Sequence, residues 1–357
     1  TVNGGRATCI VIENDGLFTL APGVGTEHDD TSMSGPQILD AIKAAGIVGL
    51  GGAGFPTHVK LAPRNPEQID YVIANGSECE PYITCDDQLM RTRSDGIVEG
   101  MRLILRLFPN AKGVIAIEDN KPEAIAAMTK ACASDSNISV LEVKAKYPEG
   151  GERNLIGVVT GRQLRFGQLP ADLGCVVCNV SSLNAIYRAV CKSEPLMTRL
   201  FTVSGDAVVK PHTMEVRIGT SCRELLEAAG GIKPECTAKK ILCGGPMMGI
   251  AMSTLDVPIA KNNNALTVLA EDEVELAENQ MTACLRCGRC GHVCPIGLVP
   301  QMMAEAAERK DFERYEKKLY GLDCIACGSC TYICPAKRPL MQLFKQTKAS
   351  IMAAKRK

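Results

Sequence analysis

Two cysteine runs of identical spacing constrain this chain more than any other feature. Cys284-x2-Cys287-x2-Cys290-x3-Cys294-Pro295 recurs forty residues later as Cys324-x2-Cys327-x2-Cys330-x3-Cys334-Pro335. Two-residue gaps let three thiolates converge on three corners of one iron–sulfur cube, while the fourth cysteine ligates the other cube. The pair therefore implies two [4Fe–4S] clusters with crossed ligation: Cys284, Cys287, Cys290 and Cys334 on one, Cys324, Cys327, Cys330 and Cys294 on the other. Zinc ribbons do not need a third CxxC-spaced cysteine followed by Cys-Pro, twice over. Two adjacent cubes carry single electrons, so this end of the chain reads as a wire with the bacterial ferredoxin signature.

Ten further cysteines lie outside the runs. In a small secreted protein they would suggest disulfides, but dense clustering in a chain of 357 residues fits metal in a reducing compartment better. Cys175-Val-Val-Cys178 has redox-motif spacing, yet its apolar flanks read as a buried strand. His292, inside the first run, reads as a solvent-facing neighbour of the cluster.

Length predicts two or three domains, at roughly 100–200 residues each. Formal charge sums to zero and aromatic residues make up only 4%, with no Trp. Neither a polyanion-binding surface nor a stacking platform for single-stranded nucleic acid is indicated. No apolar run approaches the roughly 20 residues of a membrane helix. No signal peptide is visible, and the start without Met reads as a trimmed piece of something longer.

From "SGPQILDAIKAAGI" onward, helix and strand patterns alternate. Strands are expected at 69–74, 112–119 and 138–143, with one long helix over 86–108 and another over 121–133. This alternation implies parallel βαβ units with both faces covered, and ligands at the carboxyl ends of the strands. From about 199 the texture shifts to alternating strands, one helix and another strand, a small α+β domain ending near 270. The remainder reads as helices around the cysteines. Upstream, 1–33 holds a strand-like "ATCIVIEND" and a Gly- and Pro-punctuated loop.

"AGIVGLGGAGFPTHVKLAP" (44–62) is neither a P-loop nor a GxGxxG fingerprint. Gly49, Gly51, Gly52 and Gly54 remove side chains where backbone amides can close on a phosphate, and Lys60 follows as a counter-charge. A phosphate-bearing cofactor and an ordinary glycine-rich turn are both compatible with the composition alone.

The neighbouring segments add a resemblance. "GLGGAGFPTHVKL", "YVIANGSECEPYITCDD", "KYPEGGERNLI" and "CNVSSLNAIYRAV", in that order, resemble the flavin-binding segments of the NADH-binding subunit of respiratory complex I. They are still more similar to the RnfC family, a component of the Rnf electron-transport complex, as is "CIACGSCTYICPAKRPLMQ" near the C terminus. The double cysteine run matches the RnfC pattern, since the complex I subunit has a single C-terminal cluster. Arg153 departs from the complex I pattern, in which a second acidic residue follows the glutamate. "RATCIVIENDG" resembles the tail of the barrel-sandwich domain that opens RnfC proteins.

The resemblance implies that Gly49, Gly51, Gly52, Gly54 and Lys60 hold the phosphate and ribityl of FMN. It implies Asn75 and Glu78 against the flavin ring, Asn179 on its other flank, and Glu80, Gly151 and Glu152 on the nicotinamide side of bound NAD(H). No general acid or base is implied. The expected fold is α/β: a Rossmann-like flavin domain (34–198), a ubiquitin-like SLBB-type α+β domain (199–270) and a C-terminal helical domain with two [4Fe–4S] clusters (271–357), after a barrel-sandwich remnant (1–33).

The expected function is electron passage between NAD(H), FMN and the cubes in an ion-translocating ferredoxin:NAD oxidoreductase. The expected partners are other Rnf-type membrane subunits and a ferredoxin-like subunit, met peripherally on the cytoplasmic side of the membrane. Two alternatives stay open: a soluble relative feeding NADH electrons to a partner reductase, and a ferredoxin-like relay that binds no NADH. The tail "FKQTKASIMAAKRK" reads as a solvated helix or as one lying against a partner or anionic lipid.

Overall fold

A computed structural model describes residues 8–27 and 31–355. The first domain comprises α1 (Gly35–Ala44), α2 (Thr57–Lys60), β1 (Tyr71–Gly76), α3 (Cys85–Thr92), α4 (Ser94–Leu105), β2 (Lys112–Glu118), α5 (Pro122–Ala131), β3 (Ile138–Val143), α6 (Glu152–Thr160), β4 (Cys175–Asn179) and α7 (Val180–Lys192). The four strands are parallel in the order β3-β2-β1-β4. The chain thus leaves β1 toward β2 and β3, then returns to the other side of β1. In an open parallel sheet that reversal opens a crevice at the carboxyl edge.

The sheet is covered on both faces. Ile42, Ile97, Met101, Ile104 and Leu183 pack one face with Val72, Ala74 and Ile115. Leu155 and Ile156 of α6 pack the other with Ile73, Ala116 and Val177. Period-2 alternation along β4 sends Cys175 into the α6 side and Cys178 into the opposite core. The two thiols point away from each other, and neither is in a disulfide.

The long helix expected over 86–108 is two helices. The chain breaks at Arg93, where φ is −137°. There the Arg93 guanidinium donates to Glu215 of the following domain at 2.6 Å. A cross-domain ion pair, which local periodicity does not encode, accompanies the break. Residues 8–15 form no strand: Ile10, Val11 and Ile12 are exposed, and no strand pairs with them among the described residues. Residues 1–7 and 28–30 of the expected N-terminal remnant lie outside the described residues.

The second domain holds β5 (Thr198–Ser204), β6 (His212–Arg217), α8 (Cys222–Ala228), β7 (Lys240–Cys243), β8 (Ile250–Ala251) and β9 (Ala265–Leu269). Its mixed sheet runs β6-β5-β9-β7-β8, with α8 packed through Leu225 and Leu226. Ser221 caps α8 by accepting from Glu224 N–H, and the Glu224 carboxylate accepts from Ser221 N–H in return.

The C-terminal part contains α9 (Glu273–Glu278), α10 (Arg289–His292), α11 (Pro300–Glu308), α12 (Ser329–Tyr332) and α13 (Leu340–Lys355). Leu340, Phe344, Thr347 and Ile351 lie on one face of α13 and are buried with Met303 and Ala307 of α11. The apolar side of the tail is thereby spent on this domain's own core rather than left for lipid. Arg356 and Lys357, the tail's last two residues, lie outside the described residues.

Candidate functional site

The glycine-rich segment forms a closed loop between α1 and α2. Gly49 N–H donates to the Phe55 carbonyl at 2.8 Å, and Gly54 N–H to the Gly49 carbonyl at 3.0 Å. Leu50 N–H donates to Ser182 Oγ at 3.0 Å. Gly49 and Gly54 therefore shape the loop. The amides of Gly51, Gly52 and Ala53 have no acceptor among the described residues and face solvent.

The loop sits at the sheet's reversal. A Cβ on Gly51 would stand 3.2 Å from Asn179 Cβ at the end of β4, so the loop closes tightly on that strand and a side chain there would press on Asn179. Lys60 Nζ donates to the Val177 carbonyl of β4 at 2.9 Å and pairs with Glu152 at 3.3 Å. Gly151, just ahead of Glu152 in the chain, serves as the N-cap of α6. Asn75, at the end of β1, donates to the Gly150 carbonyl at 2.9 Å. These contacts bring the expected Gly51, Lys60, Asn75, Glu152 and Asn179 together about the carboxyl edge of β1 and β4, with Gly49, Gly52, Gly54 and Gly151 beside them in the chain.

Asn179 also caps α7, its side-chain oxygen accepting from Ser181 N–H. Its amide nitrogen donates to Asp86 at 2.7 Å, and Ser181 Oγ donates to the same carboxylate at 2.7 Å. Sequence reasoning missed Asp86 and Ser181, which look like ordinary first-turn helix residues until the two helix starts are brought together.

The two glutamates, Glu78 and Glu80, are tied to other segments. Glu78 is almost fully buried and accepts from the N–H groups of Asp86 and Asp87 at the start of α3, at 2.8 and 3.1 Å. Burial first, and then the nearby Asp86 charge, pushes its carboxyl up to about 7. Glu80 reaches across to the second domain and accepts from Met247 and Met248 N–H, both at 2.8 Å. Burial raises its carboxyl, and those two donors partly offset the rise.

The two cysteine runs fold alike. Arg286 and Ala326, at matching positions, both take left-handed backbone (φ 53° and 55°), and each donates its N–H to the first sulfur of its run at 3.4 Å. Gly288 and Gly328 repeat the left-handed turn and cap α10 and α12. Amides aimed at sulfur suit a cube's thiolates. One recess is lined by Cys324, Cys327, Cys330 and, from the other run, Cys294. A cysteine of the first run beside three of the second is the arrangement that crossed ligation calls for, and the donor set fits two cubes.

The surroundings of the runs differ. Cys284 and Cys287 are exposed, whereas Cys327 is buried and Cys324 and Cys330 are half-buried. Three ties hold the second run against the first domain. Tyr147 Oη donates to the Cys327 carbonyl at 2.7 Å, Arg153 pairs with Asp323 at 3.2 Å, and Phe166 N–H donates to the same carboxylate at 2.6 Å. Arg153, the residue that departs from the complex I pattern, is thus spent on joining the two domains.

Comparison with known proteins divides the chain in the same order. Residues 42–188 match the Nuo51 FMN-binding domain, 200–251 the SLBB domain and 283–339 the 4Fe-4S dicluster domain. The C subunit of the proton-translocating ferredoxin:NAD(+) oxidoreductase complex of Clostridium ljungdahlii is 43% identical over 350 residues, 98% of this chain and 76% of the relative. The chain belongs to the RnfC family. The C subunit of the Na(+)-translocating complex of Acetobacterium woodii is 41% identical, over 99% of this chain and 79% of its own length. The C subunit of the ion-translocating oxidoreductase complex of Pseudomonas aeruginosa is 42% identical over 84% of this chain, which spans only 38% of that longer protein.

Among solved structures, an NAD+-reducing [NiFe]-hydrogenase in the air-oxidized state aligns with a TM-score of 0.63 and 20% identity, covering 89% of this chain and 66% of that one. That likeness supports the fold: a parallel α/β flavin-type domain, an SLBB domain and a dicluster domain. No helix among the described residues is long and apolar enough to cross a membrane.

Proposed function

We propose that this chain passes electrons between NAD(H), FMN and two [4Fe–4S] clusters as the NADH-side subunit of an ion-translocating ferredoxin:NAD oxidoreductase complex. The observation that carries this reading is the union, in one chain, of a free-amide loop at the reversal of a parallel sheet with a double cysteine run bound to that same domain. The family relationship supports it, since the clostridial and Acetobacterium relatives are both named as subunits of such complexes.

Held by the glycine-rich loop and Lys60, FMN would supply the conversion between two-electron hydride equivalents and the single electrons that the cubes carry. The chain's own residues supply position and charge. The amides of Gly51, Gly52 and Ala53 and the ammonium of Lys60 suit a phosphate. Asn75 and Asn179, at the ends of β1 and β4, are assigned to the flavin's two flanks. Gly151 and Glu152, across the crevice, are assigned to the nicotinamide side.

Glu78 is assigned to the flavin ring and Glu80 to the nicotinamide side. Their carboxylates are engaged by α3 and by the Met247–Met248 segment, so they organise the walls of the site. The exposed first run, at Cys284 and Cys287, is where a ferredoxin-like partner would exchange electrons, with the membrane subunits met on the cytoplasmic face.

Anaerobic purification followed by iron and FMN determination, and then NADH addition, tests this reading. About eight irons per chain and a flavin absorbance that NADH bleaches are expected. Iron without flavin, or flavin that NADH leaves oxidised, would make the chain a ferredoxin-like relay.

A further inference from the structure

The carbonyls of the glycine-rich loop are held from the second domain. Arg199, on β5, is 5% exposed and sends its guanidinium beneath the loop. Its terminal nitrogens both lie 3.4 Å from the Leu50 carbonyl, and one donates to the Lys261 carbonyl at 2.6 Å. Lys261 Nζ donates to the Gly46 carbonyl at 2.6 Å, and Asn262 Nδ2 to the Gly52 carbonyl at 3.0 Å. Three side chains from β5 and from the segment before β9 thus engage three carbonyls of one loop.

Within one planar trans peptide group the C=O and the next residue's N–H point in opposite directions, so holding the Leu50 and Gly52 carbonyls from behind turns the Gly51 and Ala53 N–H groups outward. Those two amides, like that of Gly52, are left without acceptors among the described residues. Arg199 forms no ion pair among the described residues; the nearby Asp86 charge acts on it, but that carboxylate is taken up by Asn179 and Ser181, and the guanidinium's own hydrogen bonds go to carbonyls. In a water-poor setting a guanidinium there favours an anion on the loop's far side.

We propose that Arg199, Lys261 and Asn262 are positioning residues for the phosphate of the bound flavin, so that the second domain forms the back wall of the cofactor site. This rests on the flavin reading above. The domain boundary near 198 then does not separate a cofactor domain from a spacer: neither domain holds the loop in its phosphate-ready shape without the other.

The test uses the full chain with its iron–sulfur clusters, stripped of flavin under anaerobic conditions and titrated with FMN or riboflavin by fluorescence quenching. Riboflavin lacks only the phosphate. Asn262→Ala is expected to weaken FMN several-fold. Arg199→Lys, which keeps the charge but loses the fork, is expected to weaken it about tenfold. Riboflavin binding should change by less than about twofold in both.

FMN affinity unchanged in the variants, or FMN and riboflavin weakened equally, overturns the inference, because general damage does not distinguish the two ligands. Iron content reports folding; if Arg199→Lys loses iron, Asn262→Ala and Lys261→Met decide. A wild-type chain that binds no FMN overturns the flavin reading itself. Wild-type binding with unaltered variants overturns this inference alone.

Discussion

The Tyr147 hydroxyl donates to the backbone carbonyl of Cys327 at 2.7 Å, joining the segment ahead of α6 to the more enclosed of the two cysteine runs. This bond crosses from the domain with the glycine-rich crevice to the domain with the thiols.

Tyr147→Phe removes that bond and leaves the carbonyl without its partner. The expected loss is about 1 kcal/mol, a fall in Tm of about 2–4 °C, with iron content unchanged. The informative measurement is stopped-flow absorbance: flavin reduction by NADH should keep its rate while the following cluster reduction slows. Equal slowing of both phases would show that the bond does not act at the domain junction.

A second prediction concerns pH. Glu78 has its folded value raised from the ordinary 4.5 to about 7 by burial and by Asp86. Its folded value exceeds its unfolded one, so the stability it contributes is complete below about 4.5 and is lost as pH rises through about 7. Glu78→Gln stays neutral throughout. Its Tm relative to wild type should therefore climb between about pH 4.5 and 7 and level off above that, in thermal melts followed by circular dichroism. A constant difference would show that Glu78 is ionised across the whole range.

Gly100, in the middle of α4, lies against α7 so closely that a Cβ would overlap the Leu183 carbonyl. Since that carbonyl belongs to a helix backbone, it cannot swing aside. Gly100→Ala should cost about 3 kcal/mol or more, although alanine ordinarily favours a helix interior. Urea unfolding checks the sign. A stabilised variant would mean that the two helices can separate freely.

What can be read in the sequence follows a physical divide. The pattern at 138–143 predicts a strand and β3 runs over those residues, because a short β-rich run between polar turns depends on its own pattern. The periodicity over 86–108 predicts one helix where there are two, because the break at Arg93 coincides with a partner, Glu215, 122 residues away. The site divides in the same way. The eight cysteines and the glycine loop carry their chemistry in local spacing. Arg199 opens an ordinary-looking strand, and nothing beside it in the chain signals that its side chain meets Leu50. The neighbours of Glu78 and Glu80 in sequence draw both toward the flavin, while the partners their carboxylates find in the fold, the start of α3 and the Met247–Met248 amides, are set by tertiary contacts that their own segment does not spell out.

Crossed ligation gives the sharpest test of the cysteine runs. The recess that gathers Cys324, Cys327 and Cys330 also includes Cys294 of the other run. Cys294→Ala should therefore damage the same cube as Cys324→Ala, and Cys334→Ala the same cube as Cys284→Ala, although each pairing joins different runs. Iron should fall from about eight toward about four per chain in every single variant. Electron paramagnetic resonance of the dithionite-reduced protein then sorts the variants by which signal survives. Cys294→Ala with Cys324→Ala, and Cys334→Ala with Cys284→Ala, are the expected matches. If each variant instead groups with the others of its own run, ligation is uncrossed. The exposed position of Cys284 and Cys287 adds a second expectation: oxygen should remove the signal that Cys324→Ala retains before the one that Cys284→Ala retains.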